Sequence, residues 1–144
     1  MRLMQRLRLI AAALCACAAT TCTDPLDALP TGPSNLTTGI VVYSRADFGG
    51  ISAHIAADIA DLARYSGPCE HGGDEGTPPS NDWSDCISSI RVAPGVRAVI
   101  YVDANFKGWA MTVDRDVADL GLVLGPCQRN SLDSCVTSIR MPPR

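Results

Sequence analysis

The sequence predicts an all-β fold: a sandwich of two Greek-key motifs with short helical turns. Three observations lead there. First, the chain repeats itself. Val41–Cys69 aligns with Val99–Cys127 without a gap at an offset of 58, and 12 of the 29 pairs are identical. Past that cysteine the offset falls to 49, where Cys86–Arg91 matches Cys135–Arg140, so the first copy carries nine extra residues in one loop. Second, each copy holds four short apolar segments separated by turn residues and long connections, the pattern of a Greek key. Third, a unit this small cannot bury its apolar face alone. The two copies must therefore pack as one domain, residues 39–144, with motif 1 at 39–93 and motif 2 at 94–144.

Gly39–Tyr43 is a β-branched run ending in an aromatic, and Val96–Val102 shows rough apolar alternation; both read as opening strands. Ala46–Gly50 and Ala104–Gly108 follow as turns, each closing on a glycine that tolerates positive φ. Ile51–Ile55 and Trp109–Val113 are the return strands. In Asp58–Leu62 and Asp116–Leu120 the apolar residues stand three apart, which suggests a single helical turn capped by the leading aspartate. Gly67-Pro68 and Gly125-Pro126 stop it. Ile87–Val92 and Val136–Met141 are the last strand of each copy, with Ala93-Pro94-Gly95 linking the copies.

The first 38 residues are of another kind. Arg2, Arg6 and Arg8 precede the apolar run Leu9–Ala19, the order of a secretory signal, taken here as residues 1–17. Eleven apolar residues are too few for a bilayer, which needs about 20 in a helix. Leu14-Cys15-Ala16-Cys17 resembles a bacterial lipobox and makes Cys17 a lipidation candidate; ordinary cleavage near Ala16–Ala19 is the alternative. Cys22 is left as an odd cysteine. Residues 18–38 are a Pro/Thr-rich flexible spacer. Removing the leader takes away three arginines and shifts the net charge from −3 to −6. No basic, aromatic-interleaved patch for nucleic acid remains, and contact with a membrane would come only through an N-terminal lipid.

Four cysteines lie inside the repeat. Export to an oxidising compartment makes disulfides the expected state. Of three pairings, the repeat selects Cys69–Cys86 and Cys127–Cys135, because each copy then holds its own equivalent bridge.

Tyr43-x4-Phe48-x-Gly50 and Tyr101-x4-Phe106-x-Gly108 resemble the aromatic corner of the βγ-crystallin Greek key. Ser84-Asp85-Cys86-Ile87-Ser88-Ser89 and Asp133-Ser134-Cys135-Val136-Thr137-Ser138 resemble the (Asn/Asp)-(Asn/Asp)-x-x-(Ser/Thr)-Ser loop of the microbial, Protein S-like, calcium-binding type. The stretch Ser88–Tyr101 is similar to the junction between motifs in those proteins. Each signature alone is weak; two of each at matched offsets are specific.

The resemblance implies two Ca²⁺ sites. Ser88 and Thr137 would give hydroxyls, and Ser84, Asp85, Cys86 and Asp133, Ser134, Cys135 would give carbonyl or carboxylate oxygens. Ala46 and Ala104 would lend backbone carbonyls. Ca²⁺ takes six to eight such hard oxygens. Both loops depart from the pattern: Ser84 replaces the first Asn/Asp of one, and Ser134 the second of the other. Read loop by loop, each site keeps one carboxylate, Asp85 or Asp133, which weakens binding.

The expected function is a secreted or envelope-anchored, Ca²⁺-binding structural or surface module, with envelope or coat components as partners. Two alternatives stand beside it. One is a secreted protease inhibitor presenting the acidic 70–79 loop; the other is a crystallin domain held by disulfides that has lost calcium. No enzyme is expected: His54 and His71 have no adjacent nucleophile or paired acid, and neither a Gly-x-Ser-x-Gly elbow nor a phosphate loop occurs.

Overall fold

The computed structural model describes residues 35–71 and 80–143. The leader, Cys17, Cys22, the spacer up to Ser34 and residues 72–79 of the inserted loop lie outside the described residues. Among those described, no helix is long and apolar enough to cross a membrane.

Eight strands follow one another: β1 (Ile40–Tyr43), β2 (Ser52–Ile55), β3 (Ser66–His71), β4 (Ser80–Asp82), β5 (Ser89–Val92), β6 (Ala98–Asp103), β7 (Lys107–Val113) and β8 (Ser138–Arg140). Single 3-10 turns interrupt them, at Leu62–Arg64 and Leu120–Leu122 among others. The strands form antiparallel sheets, ordered β2-β1-β5 in motif 1 and β7-β6-β8 in motif 2. β3 and β4 make a separate two-stranded ribbon whose far end carries the insertion. Motif 2 has the shorter connection and shows at that place only the Leu124–Ser131 bridge and a 3-10 turn, Gln128–Asn130. The last strands begin two residues later than the apolar pattern suggests, because Ile87-Ser88 and Val136-Thr137 belong to the loops that enter them.

Each sheet is completed by the other motif. Ile59 exchanges both backbone bonds with Ile139 of β8, at 2.8 and 2.9 Å, and Val117 does the same with Ile90 of β5. This crossing makes the fold a pair of Greek keys. It also corrects the reading of Asp58 and Asp116 as helix caps. The apolar residues after them are drawn into the neighbouring sheet, so the turn starts three residues later. Asp61 and Asp119 are the caps, accepting from the N–H groups of Ala63 and Gly121 at 3.1 and 2.7 Å. Asp58 and Asp116 instead accept from the N–H groups of Met141 and Val92, at 2.7 and 2.8 Å.

Alternation along the strands turns one face inward. Ile40, Val42, Ile55 and Ile90 of motif 1 meet Ile100, Val113, Val136 and Ile139 of motif 2 in one core. Leu62 and Leu120, both fully buried, fill it beneath the equivalent 3-10 turns. Leu36, in the stretch read as spacer, also packs on this core. His54 is exposed, with Nε2 2.7 Å from the Thr38 carbonyl.

Candidate cation site

Both aromatic corners form as the spacing predicts. Chain reversal places Asp47 and Phe48, and equally Asn105 and Phe106, at φ between 54 and 60°, a region L-residues visit at a cost. Gly50 and Gly108 follow at φ 77 and 74°, where a Cβ would collide with the side chains of Ser44 and Asp103. Tyr43 meets Phe48 edge-on with centroids 5.7 Å apart, and Tyr101 meets Phe106 at 5.9 Å. Sequence reasoning missed the lid on each corner. The guanidinium of Arg91 lies 4.3 Å over the Phe48 ring, and that of Arg140 lies 4.2 Å over Phe106. The available signal was an arginine at the same place in both copies.

The final serine of each loop signature proves to be a fastener. Ser89 Oγ accepts from Phe48 N–H at 3.0 Å and donates to the Arg45 carbonyl at 2.6 Å. Ser138 Oγ does the same with Phe106 N–H at 3.1 Å and the Asp103 carbonyl at 2.6 Å. Both serines are fully buried, so these bonds tie the aromatic hairpin to the strand beneath it.

The loops themselves lie against each other. Asp85 N–H donates to the Val136 carbonyl at 3.0 Å, and Ser134 N–H donates to the Ile87 carbonyl at 3.2 Å. Asp85 and Ser134 occupy the same left-handed backbone position, φ 51 and 50°. The two ligand sets, self-contained in sequence, are therefore interleaved. Thr137 Oγ1 donates to Asp85 Oδ1 at 3.3 Å, which joins the carboxylate of one loop to the hydroxyl of the other. Ser88 Oγ donates to the Ser44 carbonyl at 3.4 Å.

Backbone groups at the hydroxyl positions are already engaged. Ser88 and Thr137 donate to Tyr43 and Tyr101, and their carbonyls accept from Leu120 and Leu62. The Ala46 carbonyl accepts from Gly49 N–H at 3.1 Å. Ser84 is buried, with its N–H on Asp82 Oδ1 at 2.9 Å. Asp133 Oδ1 is buried without a hydrogen-bond partner. The bridges Cys69–Cys86 and Cys127–Cys135 are both present, with Cα atoms 5.7 and 6.2 Å apart. With their sulfurs bonded to each other, Cys86 and Cys135 have only carbonyl oxygen to offer a hard cation. Among the described residues no three His, Cys, Asp or Glu side chains converge, so a cation here must draw on hydroxyl and carbonyl oxygens too.

No protein-family model matches the chain, and no curated protein does. Solved structures do. One, solved for the evolution of the eye-lens βγ-crystallin domain fold, is 23% identical over 75% of this chain and 89% of that one, with a TM-score of 0.55. The βγ-crystallin from Ciona intestinalis is 17% identical over 72% of this chain and 98% of its own, at a TM-score of 0.50. A double mutant of clostrillin in complex with nickel is 19% identical over 73% and 98%, at 0.50.

The chain has the βγ-crystallin fold.

Within this domain of βγ-crystallin fold the oxygen donors are shared unevenly. Asp85 reaches the Thr137 hydroxyl from the other loop, and Asp133 stands four residues before Thr137 in the chain. At the equivalent place Ser88 Oγ meets the Ser44 carbonyl, and the residue facing it from the other loop is Ser134, whose N–H meets the carbonyl next to Ser88. One half of the arrangement is acidic and the other neutral.

Proposed function

We propose that the domain is a non-enzymatic, calcium-stabilised structural module of the cell exterior or envelope, and that Asp85, Asp133 and Thr137 form its principal Ca²⁺ site. The observation that carries this reading is the Thr137–Asp85 bond between the loops. It places a carboxylate and a hydroxyl from different motifs at one point. The unpartnered, buried Asp133 Oδ1 fits a cation as well: such an oxygen costs free energy unless something positive meets it. When bound, Ca²⁺ would supply charge neutralisation and a cross-link between the motifs. The Ser84, Ser88 and Ser134 half offers no carboxylate and binds far more weakly.

A ligand that binds only the folded state stabilises it by RT ln(1 + [L]/Kd), about 2.7 kcal/mol at one hundred times Kd. Calorimetric titration of the chelator-treated chain with Ca²⁺ tests the reading. One equivalent bound in the micromolar to sub-millimolar range, with a raised melting temperature, supports it. No heat and no thermal shift refutes it and leaves a domain held by its disulfides alone. Two equivalents of equal strength would refute the uneven sharing.

A further inference from the structure

Equivalent faces of the two motifs differ in shape. In motif 1 an open groove of about 660 Å³ is lined by Ile51, Ala53, Tyr65, Pro68 and Trp83, with Arg64 and Ser66 on its wall. At the offset of 58, the motif 2 residues corresponding to Arg64 and Ser66 are Leu122 and Leu124. These leucines are 84% and 80% exposed. Two leucines this bare, one residue apart, are not what a closed surface shows. They are also firmly held. Leu124 bridges to Ser131, Val123 N–H bonds to the Leu120 carbonyl at 3.2 Å, and the Cys127–Cys135 disulfide closes the loop that follows.

We propose that a second copy of this chain docks here, Leu122 and Leu124 of one molecule entering the Tyr65–Trp83 groove of the next. Composition and charge agree. The groove joins the apolar surfaces of Ile51, Tyr65 and Trp83 to the Arg64 guanidinium, itself 87% exposed, at 3.2 Å from Asp61. Beside the leucines stands Asp119, the counterpart of Asp61, which lacks an arginine three residues on because position 122 is leucine. Docking sets that acid toward the arginine of the groove. Rigid presentation limits the ordering entropy lost on contact. Two leucines remain a small anchor against the roughly 800 Å² per partner of a standard interface, so the association is weak and concentration-dependent.

Groove and leucines lie on different motifs, so copies can join reciprocally, as a two-fold dimer with two such contacts, or head to tail, as a ring or filament. The reading is independent of calcium.

Sedimentation of the full chain tests it, wild type and variants alike, so that whatever residues 1–34 contribute is common to every sample. Leu122→Asp with Leu124→Asp removes the insert, and Ser66→Trp fills the groove; all three positions are exposed, and circular dichroism checks that the fold survives. Wild type is expected to grow with concentration, and each variant alone to associate at least about tenfold more weakly. An equimolar mixture of the two variants retains one productive contact and should stop at a heterodimer. A wild type that stays monomeric up to about 1 mM overturns the proposal, as does growth that neither variant weakens or a mixture that forms no heterodimer. Vesicle binding lost in the leucine variant, without self-association, would overturn it in favour of a lipid surface.

Discussion

Thr137 donates its hydroxyl hydrogen to Asp85 across 52 residues of chain, and this bond joins the two motifs at the place where their loops run side by side. Asp85→Asn and Thr137→Val are therefore expected to weaken calcium binding by at least about tenfold each. Ser88→Ala should leave the same titration nearly unchanged. If Ser88→Ala costs as much as Asp85→Asn, the ligands belong to two equal sites and the uneven sharing is wrong.

Asp133 should separate binding from stability. Its Oδ1 is buried and unpartnered in the absence of a cation, and an unsatisfied buried polar group costs about 1–3 kcal/mol. Asp133→Ala is expected to lower calcium affinity and, in chelator, to leave the melting temperature unchanged or raise it. A large loss of stability in chelator would show that this carboxylate serves the fold.

Ser89 and Ser138 predict the opposite pattern. Replacing either by alanine strips a buried hydroxyl that both accepts and donates, which leaves a phenylalanine N–H and a carbonyl unpaired. A loss of about 2 kcal/mol in urea unfolding is expected for each. Calcium should protect these variants as much as it protects wild type.

Reduction of the disulfides tests how much of the domain depends on them. Closing loops with sequence separations of 17 and 8 stabilises by about 2.5–3 kcal/mol each in the chain-entropy model. The reduced domain should melt well below the oxidised one, and calcium should recover part of the difference. An unchanged melting temperature would contradict this.

Much of the architecture was legible in the chain because its determinants are local. The glycines at 50 and 108, the aromatics seven and two residues before each, and the one bridge within each copy are all set by spacing and repeat. Residues that meet across the domain were not legible. Ile59 and Val117 look like one face of a helical turn, since three-residue spacing of apolar side chains serves a turn and a strand exchange equally well. Their partners lie in the other copy, and no local pattern names them. The arginine lids on Phe48 and Phe106 are hidden by distance within one copy, since each arginine stands on the last strand, 43 and 34 residues from its ring. At the site, the signature marks the oxygen donors, but only the packing of one loop on the other shows that Asp85 serves Thr137.

The exchange of strands between the sheets has a cost in time. Asp58 and the Met141 N–H it accepts from are 83 residues apart, and Ile59 depends on Ile139 in the same way. At the usual 5–20 residues per second, roughly 4–17 s pass between the synthesis of one partner and the other. Motif 1 is complete after residue 93, less than halfway through that interval, yet its Ile59 still lacks the Ile139 strand that covers it. Two nascent or newly released chains that meet then can trade these segments. Dilution during refolding is therefore expected to raise the share of correctly closed monomer.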